Sequence, residues 1–516
     1  MIGQSVPEYL FIRATVVALR LVAPASFWYL LACAATQSFL VSPLIAAAAS
    51  CEATFYVIFR LRLKRLNRTP PPVPPRLSRS QRRALIEKCS AEISFDYASG
   101  WFLPSGSQVK RENVREWILW AMFASTSEDA SPEWDEEIDE YIAVLETNIG
   151  RQVDPGRVHG VQSLRLSFDP IHALHRPLIW YLIVAGVDTL TSIFLLSLGF
   201  KHYSPGARSF PPRPLLTLFS KPAANAYFPY WYRPPRSNTP FKTPILFLHG
   251  IGIGLHPYVP MLREIIRADP TQPLLLVEFL PVSMHMTAPM PPRRATLGAI
   301  NAILEDLDIP KVVLAAHSYG TFLAAQILTP PPSCSTEPGP DPAQILNTKI
   351  TSLVLIDPIP LLLHLPAVAY NFLYRPPGAG RANEWQLWYF ASRDLDVARV
   401  LGRCFFWEEG CLWKEDLQRF CEGGRRKVAI VLGGRDQIVP SREVRDYLTA
   451  HEPGGWGPAG GGADRWMSPS PREGELEVLW FAELDHATVF EKRERRRVLM
   501  QTLERLTDGV EDQDAI

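Results

Sequence analysis

The sequence predicts an α/β protein with a mostly parallel β-sheet in its C-terminal half and apolar helices before it. From about residue 243, short and almost continuously apolar runs alternate with stretches of helical pattern. Such alternation is typical of a parallel sheet covered by helices on both faces. Upstream, residues 21–51 contain no charged side chain. A length of 516 residues is too great for one ordinary core, so several structural units are expected.

Six strands are predicted from the short apolar runs of the C-terminal half. They cover residues 245–248, 274–279, 312–315, 352–356, 428–432 and 478–481. Open α/β sheets carry their sites beyond the carboxyl ends of the strands. Residues that take part in catalysis or binding are therefore expected directly after these runs.

The pentapeptide Ala316-His317-Ser318-Tyr319-Gly320 follows one such strand and precedes an apolar helical stretch. This context predicts a nucleophile elbow, in which a sharp strand-to-helix turn holds the serine in a strained conformation between small residues. Ala316 stands where such motifs often have a first glycine. The alternative interpretation is a serine that serves the turn alone.

A second motif, His249-Gly250-Ile251-Gly252, follows the strand at 245–248. We expect its loop to approach the nucleophile and to supply a backbone N–H to an oxyanion hole. The N–H groups of Ile251 and Tyr319 are the expected pair of donors. A plain glycine turn is the alternative.

Asp436 and His486 each follow a predicted strand, which gives the chain order Ser318, Asp436, His486 that is expected for a triad of this kind. His486 would accept the serine proton, and Asp436 would fix its tautomer. Asp357, after the strand at 352–356, is an alternative acid. Asp485 adjoins His486 and is expected to point away from it.

Through these three motifs, residues 243–506 resemble the α/β-hydrolase superfamily of the HG-loop, small-x-Ser-x-Gly type. The layout of anchor, helical module and catalytic domain is similar to membrane-tethered fungal α/β-hydrolases of undefined substrate. The resemblance covers about half the chain. It implies hydrolysis of an ester, amide or thioester, or acyl transfer, without a cofactor. A serine at position 318 argues against the epoxide and haloalkane hydrolases of this fold, which use an aspartate nucleophile.

Residues 1–68 are predicted to form an N-terminal membrane anchor, because the uncharged run at 21–51 exceeds the ~20 residues that a spanning helix needs. The run is either one tilted helix or a kinked pair that dips into the bilayer and returns. A basic flank at 60–68 favours the cytoplasmic side. A cleaved signal peptide is the alternative, although its apolar core would measure only ~7–15 residues.

Residues 177–200 form a second hydrophobic helix, with Asp188 near its middle. An unpaired charge at that depth costs roughly 2.5–3.5 kcal/mol. The sequence leaves three possibilities open, namely that this helix spans a membrane, lies along its surface, or packs on the catalytic domain.

The remaining segments complete the predicted organisation. They are a Pro-rich linker at 69–78, a helical packing module at 79–176 with helices at 112–123 and from Ser131, a connector at 201–242, a lid at 358–427 within the catalytic domain, a mobile Gly/Pro-rich loop at 452–474 and a disordered tail at 507–516. The lid is rich in large apolar side chains, as expected over a site for an acyl chain.

These features predict a membrane-associated serine hydrolase, most simply a carboxylic ester hydrolase, that acts on a lipid-like or bulky apolar acyl substrate. Acyl transfer or thioester cleavage on the same triad, and a non-catalytic membrane scaffold with this fold, are the alternatives. We expect an endomembrane location and no metal. Lys plus Arg equals Asp plus Glu at 53 each, so the chain lacks the basic excess of a nucleic-acid binder.

Overall fold

The computed structural model describes most of the chain. The described residues are 3–70, 76–91, 100–104, 108–206, 209–235, 242–329, 339–422, 426–450, 455–468 and 475–508. Residues 71–75 of the predicted linker at 69–78 and residues 509–516 of the predicted tail at 507–516 fall outside these ranges.

One large sheet organises the C-terminal half of the chain. Its strands are β3 (Lys201–Ser204), β4 (Lys221–Pro222), β5 (Tyr230–Arg233), β6 (Ile245–Leu248), β7 (Leu274–Val277), β8 (Val312–His317), β9 (Ile350–Ile356), β10 (Lys427–Gly433), β11 (Trp456–Gly460), β12 (Ala463–Met467) and β13 (Glu475–Phe481). They lie in the order β11-β12-β13-β10-β9-β8-β6-β7-β5-β3-β4. A separate small antiparallel pair joins β1 (Phe102–Leu103) to β2 (Gln162–Ser163).

The centre of the sheet is parallel, from β13 through β10, β9, β8 and β6 to β7. These are the six strands predicted from apolar runs, and their ends differ from the predicted ones by a few residues at most. Their side chains are buried on both faces because helices cover both sides of the sheet.

The predicted connector at 201–242 is in fact part of the sheet, because β3, β4 and β5 extend its edge beyond β7. β5 runs antiparallel to β7, and β3 runs antiparallel to β5. These strands are short and carry Lys, His and Arg among their aromatic residues. They therefore lack the continuous apolar pattern that marked the central strands.

The predicted mobile loop at 452–474 also contains sheet structure. Within its described part, β11 and β12 form an antiparallel hairpin that adds to β13 at the other edge. Glycines and a proline in β11 weaken the usual strand signal. The pairing of β11 with β12, and of β12 with β13, supplies the stabilisation that local propensity does not.

Helices surround the sheet. They are α1 (Val6–Thr36), α2 (Pro43–Arg68), α3 (Arg79–Ala91), α4 (Arg111–Phe123), α5 (Asp135–Ile149), α6 (Leu178–Ser197), α7 (Pro214–Phe219), α8 (Val259–Ala268), α9 (Arg293–Asp306), α10 (Tyr319–Leu328), α11 (Pro342–Lys349), α12 (Pro366–Ala369), α13 (Ala382–Gln386), α14 (Leu395–Arg403), α15 (Trp407–Gly410), α16 (Lys414–Cys421), α17 (Ser441–Thr449) and α18 (Arg493–Asp508). A single 3₁₀ turn, Pro132–Trp134, precedes α5, where the sequence predicted the start of the α-helix itself.

The first two helices form a hairpin, which matches the kinked-pair alternative rather than one tilted helix. α1 ends at a left-handed Gln37, and α2 begins after Ser42, whose hydroxyl caps it. By length and composition, α1, α2 and α6 are each long and apolar enough to cross a membrane.

The helical module does not stand apart from the catalytic half. Side chains of α3, α4 and α5 belong to the same continuous hydrophobic core as the central strands. The indole N–H of Trp101 donates to the carbonyl oxygen of His364 in the lid at 3.2 Å. The described residues of 79–176 thus form one layer of the same folded body as the sheet.

The predicted lid is present as a helical insertion between β9 and β10. It comprises α12 to α16 together with two π-helical turns, Tyr370–Tyr374 and Leu387–Ser392. Three of its aromatic side chains, Phe372, Phe405 and Trp407, line a cavity together with Ser318, which follows the C-terminal end of β8.

Candidate active site

Ser318 occupies a strained turn between β8 and α10. Its φ of 51° and ψ of −118° lie in a region that a residue with a side chain rarely adopts. The strain is held by the surroundings, because the Ser318 N–H donates to the Ile356 carbonyl at 3.0 Å. The structure therefore has the sharp strand-to-helix turn that the sequence predicted.

The glycines around this turn have steric reasons. A Cβ on Gly320 would lie 2.2 Å from the carbonyl oxygen of Leu248. A Cβ on Gly250 would lie 2.7 Å from the Cβ of Ser318. Ala316, fully buried in β8, is accommodated where the motif often has glycine.

The structure brings Ser318, His486 and Asp436 together. His486 Nε2 lies 2.8 Å from Ser318 Oγ, and His486 Nδ1 lies 2.7 Å from Asp436 Oδ2. With Nδ1 protonated toward the carboxylate, Nε2 is free to accept the serine proton. Asp436 is in turn fixed by the N–H groups of Ile438 and Val439, at 2.7 and 2.9 Å from its Oδ1.

The alternative acid, Asp357, makes different contacts. Its Oδ2 accepts from the backbone N–H of Ala487 at 2.6 Å and lies 3.5 Å from His317 Nε2. Asp485 accepts from the N–H groups of Gln437 and His486. The imidazole of His486 therefore contacts Asp436, whereas Asp357 lies beside the histidine loop, which carries His486 and Ala487.

A buried polar chain runs behind the triad. The N–H of Gly250 donates to the Tyr258 hydroxyl at 3.1 Å, and that hydroxyl lies 2.7 Å from His317 Nδ1. His317 then faces Asp357, which holds the backbone of Ala487. These contacts link the glycine loop (residues 249–252) to the histidine loop through His317, the residue before Ser318. Sequence motifs gave no signal for Tyr258.

The charges of the site favour a protonated imidazole. Burial by itself would lower the pKa of His486, but the charge of Asp436 and its hydrogen bond outweigh burial and raise the pKa to about 9. Asp357 acts in the same direction from a greater distance. Burial raises the pKa of Asp357, but contact with His317 and the charge of His486 more than offset it and lower the pKa. Two carboxylates therefore stabilise a positive charge on His486.

The glycine loop is positioned by His249. Its Nε2 accepts from the Phe279 N–H at 2.9 Å, and its Nδ1 lies 2.8 Å from the Gly250 carbonyl. Burial lowers the pKa of His249 to about 4, so the ring is neutral. Its two hydrogen bonds hold the glycine loop beside Phe279. Gly252 donates to the Val282 carbonyl. Ile251 and Tyr319 both border the cavity that contains Ser318.

That cavity is almost wholly apolar and has about 640 Å³ of empty space, part of it open to solvent. Besides Ser318, its wall includes nine residues of the lid, which are Ile359, Leu363, Val368, Ala369, Phe372, Leu373, Leu401, Phe405 and Trp407.

Trp101, Trp120 and Leu166 of the helical module also border the cavity. The sequence interpretation missed them, because nothing in their spacing distinguishes a pocket wall from ordinary helix packing. The module therefore helps to shape the candidate site.

Among the described residues, His317, Asp357 and His486 form a group whose possible ligand atoms lie within 4.8 Å of one another. Both ring nitrogens of His486 already have partners in Ser318 and Asp436. A metal bound there would displace a triad contact, so the donor set fits the acid–base arrangement better than an ion.

No protein-family model matches the chain, and no curated protein matches it in sequence. Solved structures are similar at 10–15% identity. One, a carboxylesterase of Nitrososphaera gargenis (15% identity, TM-score 0.34), overlaps 55% of this chain and 97% of its own length. Carboxylesterase CesB of Bacillus subtilis (10%, 0.36) overlaps 64% and 99%. A membrane phospholipase A described as a bacterial virulence factor (12%, 0.36) overlaps 64% and 93%.

At such identities and TM-scores, these likenesses say nothing about the substrate. The fold follows from this chain's own topology. Six parallel strands, a strained serine turn after the central strand β8, and an acid and a histidine after β10 and β13 give the chain the α/β-hydrolase fold.

Proposed function

We propose that the chain is a serine hydrolase that cleaves a lipid-like ester at a membrane through an acyl-enzyme intermediate. The observation that supports it best is the unbroken contact from Ser318 Oγ through His486 to Asp436, at 2.8 and 2.7 Å. A turn serine without a catalytic role would need neither the imidazole nor a buried carboxylate behind it.

In the proposed reaction, Ser318 Oγ attacks the ester carbonyl while its proton passes to His486 Nε2. The carbonyl oxygen becomes an oxyanion, which the N–H groups of Ile251 and Tyr319 would stabilise. Breakdown expels the alcohol, which takes the proton from His486, and leaves an acyl group on Ser318. Water then attacks that ester while His486 again accepts a proton, and the bond from the acyl carbon to Ser318 Oγ breaks as His486 returns the proton to Ser318 and the acid is released.

The apolar cavity supports an acyl substrate rather than a small polar one. Burial of each CH₂ group contributes ~0.8 kcal/mol, and the lid and module offer hydrocarbon and indole walls beside Ser318. Three long apolar helices support a location at a membrane, where such a substrate would be available.

Labelling with a fluorophosphonate probe tests the chemistry. The purified full-length chain should label, and Ser318→Ala should not. Ser392→Ala is the matched control, because that buried lid serine donates to the Trp388 carbonyl and does not border the cavity. A folded wild-type chain that resists the probe would contradict catalysis and favour the scaffold alternative.

A series of p-nitrophenyl esters tests the substrate class. We expect kcat/KM to rise with acyl length as the chain fills the cavity. Equal or falling values beyond acetate would refute the lipid-like substrate while leaving the hydrolase intact. Capture of the acyl group by an added alcohol or lyso-lipid, measured against water, would instead identify acyl transfer.

A further inference from the structure

The interior charge of α6 is paired by the catalytic domain. Asp188 Oδ2 lies 2.7 Å from His285 Nε2 and 3.9 Å from Arg213 Nε. Arg213 also forms a bidentate pair with Glu278, at 2.8 and 2.9 Å. The carboxylate therefore lies within a buried polar cluster, and the midpoint of α6 lies against the enzyme body.

One face of α6 contacts that body along most of its length. Tyr181, Val184, Asp188, Thr191, Ser192 and Leu195 are buried at helical spacing. Thr191 Oγ1 lies 3.0 Å from His256 Nδ1. If α6 crossed a bilayer, loops and charged groups of the catalytic domain would lie at the depth of the hydrocarbon, where backbone groups find no water.

The opposite face of α6 is apolar and open. Its large side chains are 46–66% exposed, and they are Ile179, Leu182, Ile183, Leu190, Ile193 and Phe194. A helix with one face on its own domain and the other unpartnered matches an element that lies in the plane of a membrane surface.

The α1–α2 hairpin is too short, beyond its attachment to the body, to cross a bilayer. Glu52 of α2 accepts from the Leu178 N–H at 2.8 Å, next to His175 at 3.5 Å. At 1.5 Å per residue, residues 43–51 rise about 14 Å from that contact. Residues 21–36 of α1, beyond Arg20, measure about 24 Å by the same rise. Both arms fall short of the ~30 Å hydrocarbon core.

The end of the hairpin nevertheless exposes apolar side chains of the kind that insert into lipid. Phe39, Leu40, Val41 and Leu44 are 51–82% exposed at its tip, and no charge occurs between residue 21 and residue 51. Four basic side chains of α2 follow on its exposed surface, Arg60, Lys64, Arg65 and Arg68, where they match anionic lipid headgroups.

We propose that the chain is monotopic: the hairpin tip and the outer face of α6 enter one leaflet of an anionic bilayer, and no helix crosses it. The inference extends the membrane part of the proposed function and does not depend on the chemistry at Ser318. α1 also contacts the lid, with the Arg13 guanidinium 3.7 Å from the centre of the Trp385 ring. The membrane-binding surface therefore adjoins the lid of the cavity.

Vesicle binding tests the surface. The full-length chain should co-sediment with sealed vesicles of phosphatidylcholine and phosphatidylserine, and less with phosphatidylcholine alone. Leu40→Arg and Ile183→Arg should each lower partitioning at least about tenfold. Trp456→Arg is the matched control, because Trp456 is 43% exposed on β11, at the sheet edge opposite β3 and β4. Equal losses of vesicle partitioning in all three variants would refute the assignment of this membrane-binding surface.

The depth to which the hairpin tip enters the bilayer is tested with a single introduced thiol. Cys33, Cys51 and Cys334 are first replaced by serine, and Ser38→Cys then places a thiol at the tip. Burial raises the pKa of the Cys411 thiol to about 12 and also raises the pKa of Cys89 and Cys404, so these thiols react slowly with maleimide. Cys421 is buried as well. We expect the thiol introduced at position 38 to be shielded from impermeant maleimide on both sides of the vesicle.

Three other outcomes are distinct. Labelling of the introduced thiol by reagent trapped in the lumen would overturn the monotopic topology while leaving membrane binding intact. Labelling from outside in bound protein would show that the tip does not insert, and would also overturn it. Absence of vesicle binding would remove the membrane part of the proposed function, whereas hydrolysis of a soluble ester would still report on the triad.

Discussion

Replacing each of the two buried carboxylates in turn separates the acid of the triad from its neighbour. Asp436→Asn keeps the size of the side chain but loses the charge that fixes the Nδ1–H tautomer of His486, at 2.7 Å. Asp357→Asn retains an oxygen that can still accept from the Ala487 N–H. The two variants are therefore matched in shape and differ in which group they leave without a carboxylate.

The expected losses differ by orders of magnitude. Tautomer errors of this kind cost about 10⁴ in kcat in a serine protease triad, which corresponds to about 5.4 kcal/mol at 1.36 kcal/mol per decade. Asp357 accepts a hydrogen bond from the Ala487 N–H rather than from the His486 ring, so we expect Asp357→Asn to lower kcat less than about tenfold at pH 9 and above.

The pH profile gives a second, independent readout. A histidine whose pKa is raised to about 9 is protonated below that pH and cannot accept the serine proton. Activity of the wild-type chain should therefore rise with pH up to about 9. Because the charge of Asp357 helps to hold the pKa up, Asp357→Asn should shift the rising limb to lower pH.

Turnover of a soluble short-chain ester from pH 6 to 10, with the fluorophosphonate labelling rate beside it, measures both effects. A loss near 10⁴ in Asp357→Asn together with a mild loss in Asp436→Asn would refute the assignment of the acid. If the rising limb of the pH profile did not shift in Asp357→Asn, the role of that carboxylate in raising the pKa of His486 would be refuted.

Three further changes probe the site and the body around it. Gly320→Ala should abolish labelling, because its Cβ would lie 2.2 Å from the Leu248 carbonyl oxygen; an active variant would contradict the close approach, and circular dichroism checks folding. Leu401→Trp should fill the cavity and reduce kcat/KM for long acyl esters while sparing acetate; equal losses at all lengths would argue against Leu401 as a cavity wall. Glu278→Gln should lower the free energy of unfolding by roughly 3–5 kcal/mol, since it leaves Arg213 buried with a weakened partner; a change of less than about 1 kcal/mol in denaturant titration would contradict that cost.

Local sequence carried enough information to find the central strands and the three motifs. The strands at 245–248 and 312–315 read as apolar because both faces of the sheet are covered. The turn at Ser318 was found because a sharp passage from strand to helix calls for small residues on either side of the serine. These constraints act over a few residues, so they are visible in the linear pattern.

Edge strands, pocket walls and charge partners could not be found in that way. β3 and β5 are strands because β5 and β7, respectively, offer them hydrogen-bond partners at the sheet edge, and their own residues are mixed in character. Trp101 borders the cavity because the module packs on the lid. Asp188 is tolerated in an apolar helix because His285 and Arg213, which lie outside that helix, provide polar partners for its carboxylate.

The sequence by itself determined the parallel sheet, the strained serine and the order in which serine, acid and histidine occur. Only the tertiary structure decided that Asp436 rather than Asp357 contacts His486, that the helical module shares the catalytic core, and that α6 lies against the body. The physical reason is that hydrophobic period and backbone sterics are local properties, whereas charge pairing and cavity walls depend on which distant surfaces folding brings into contact.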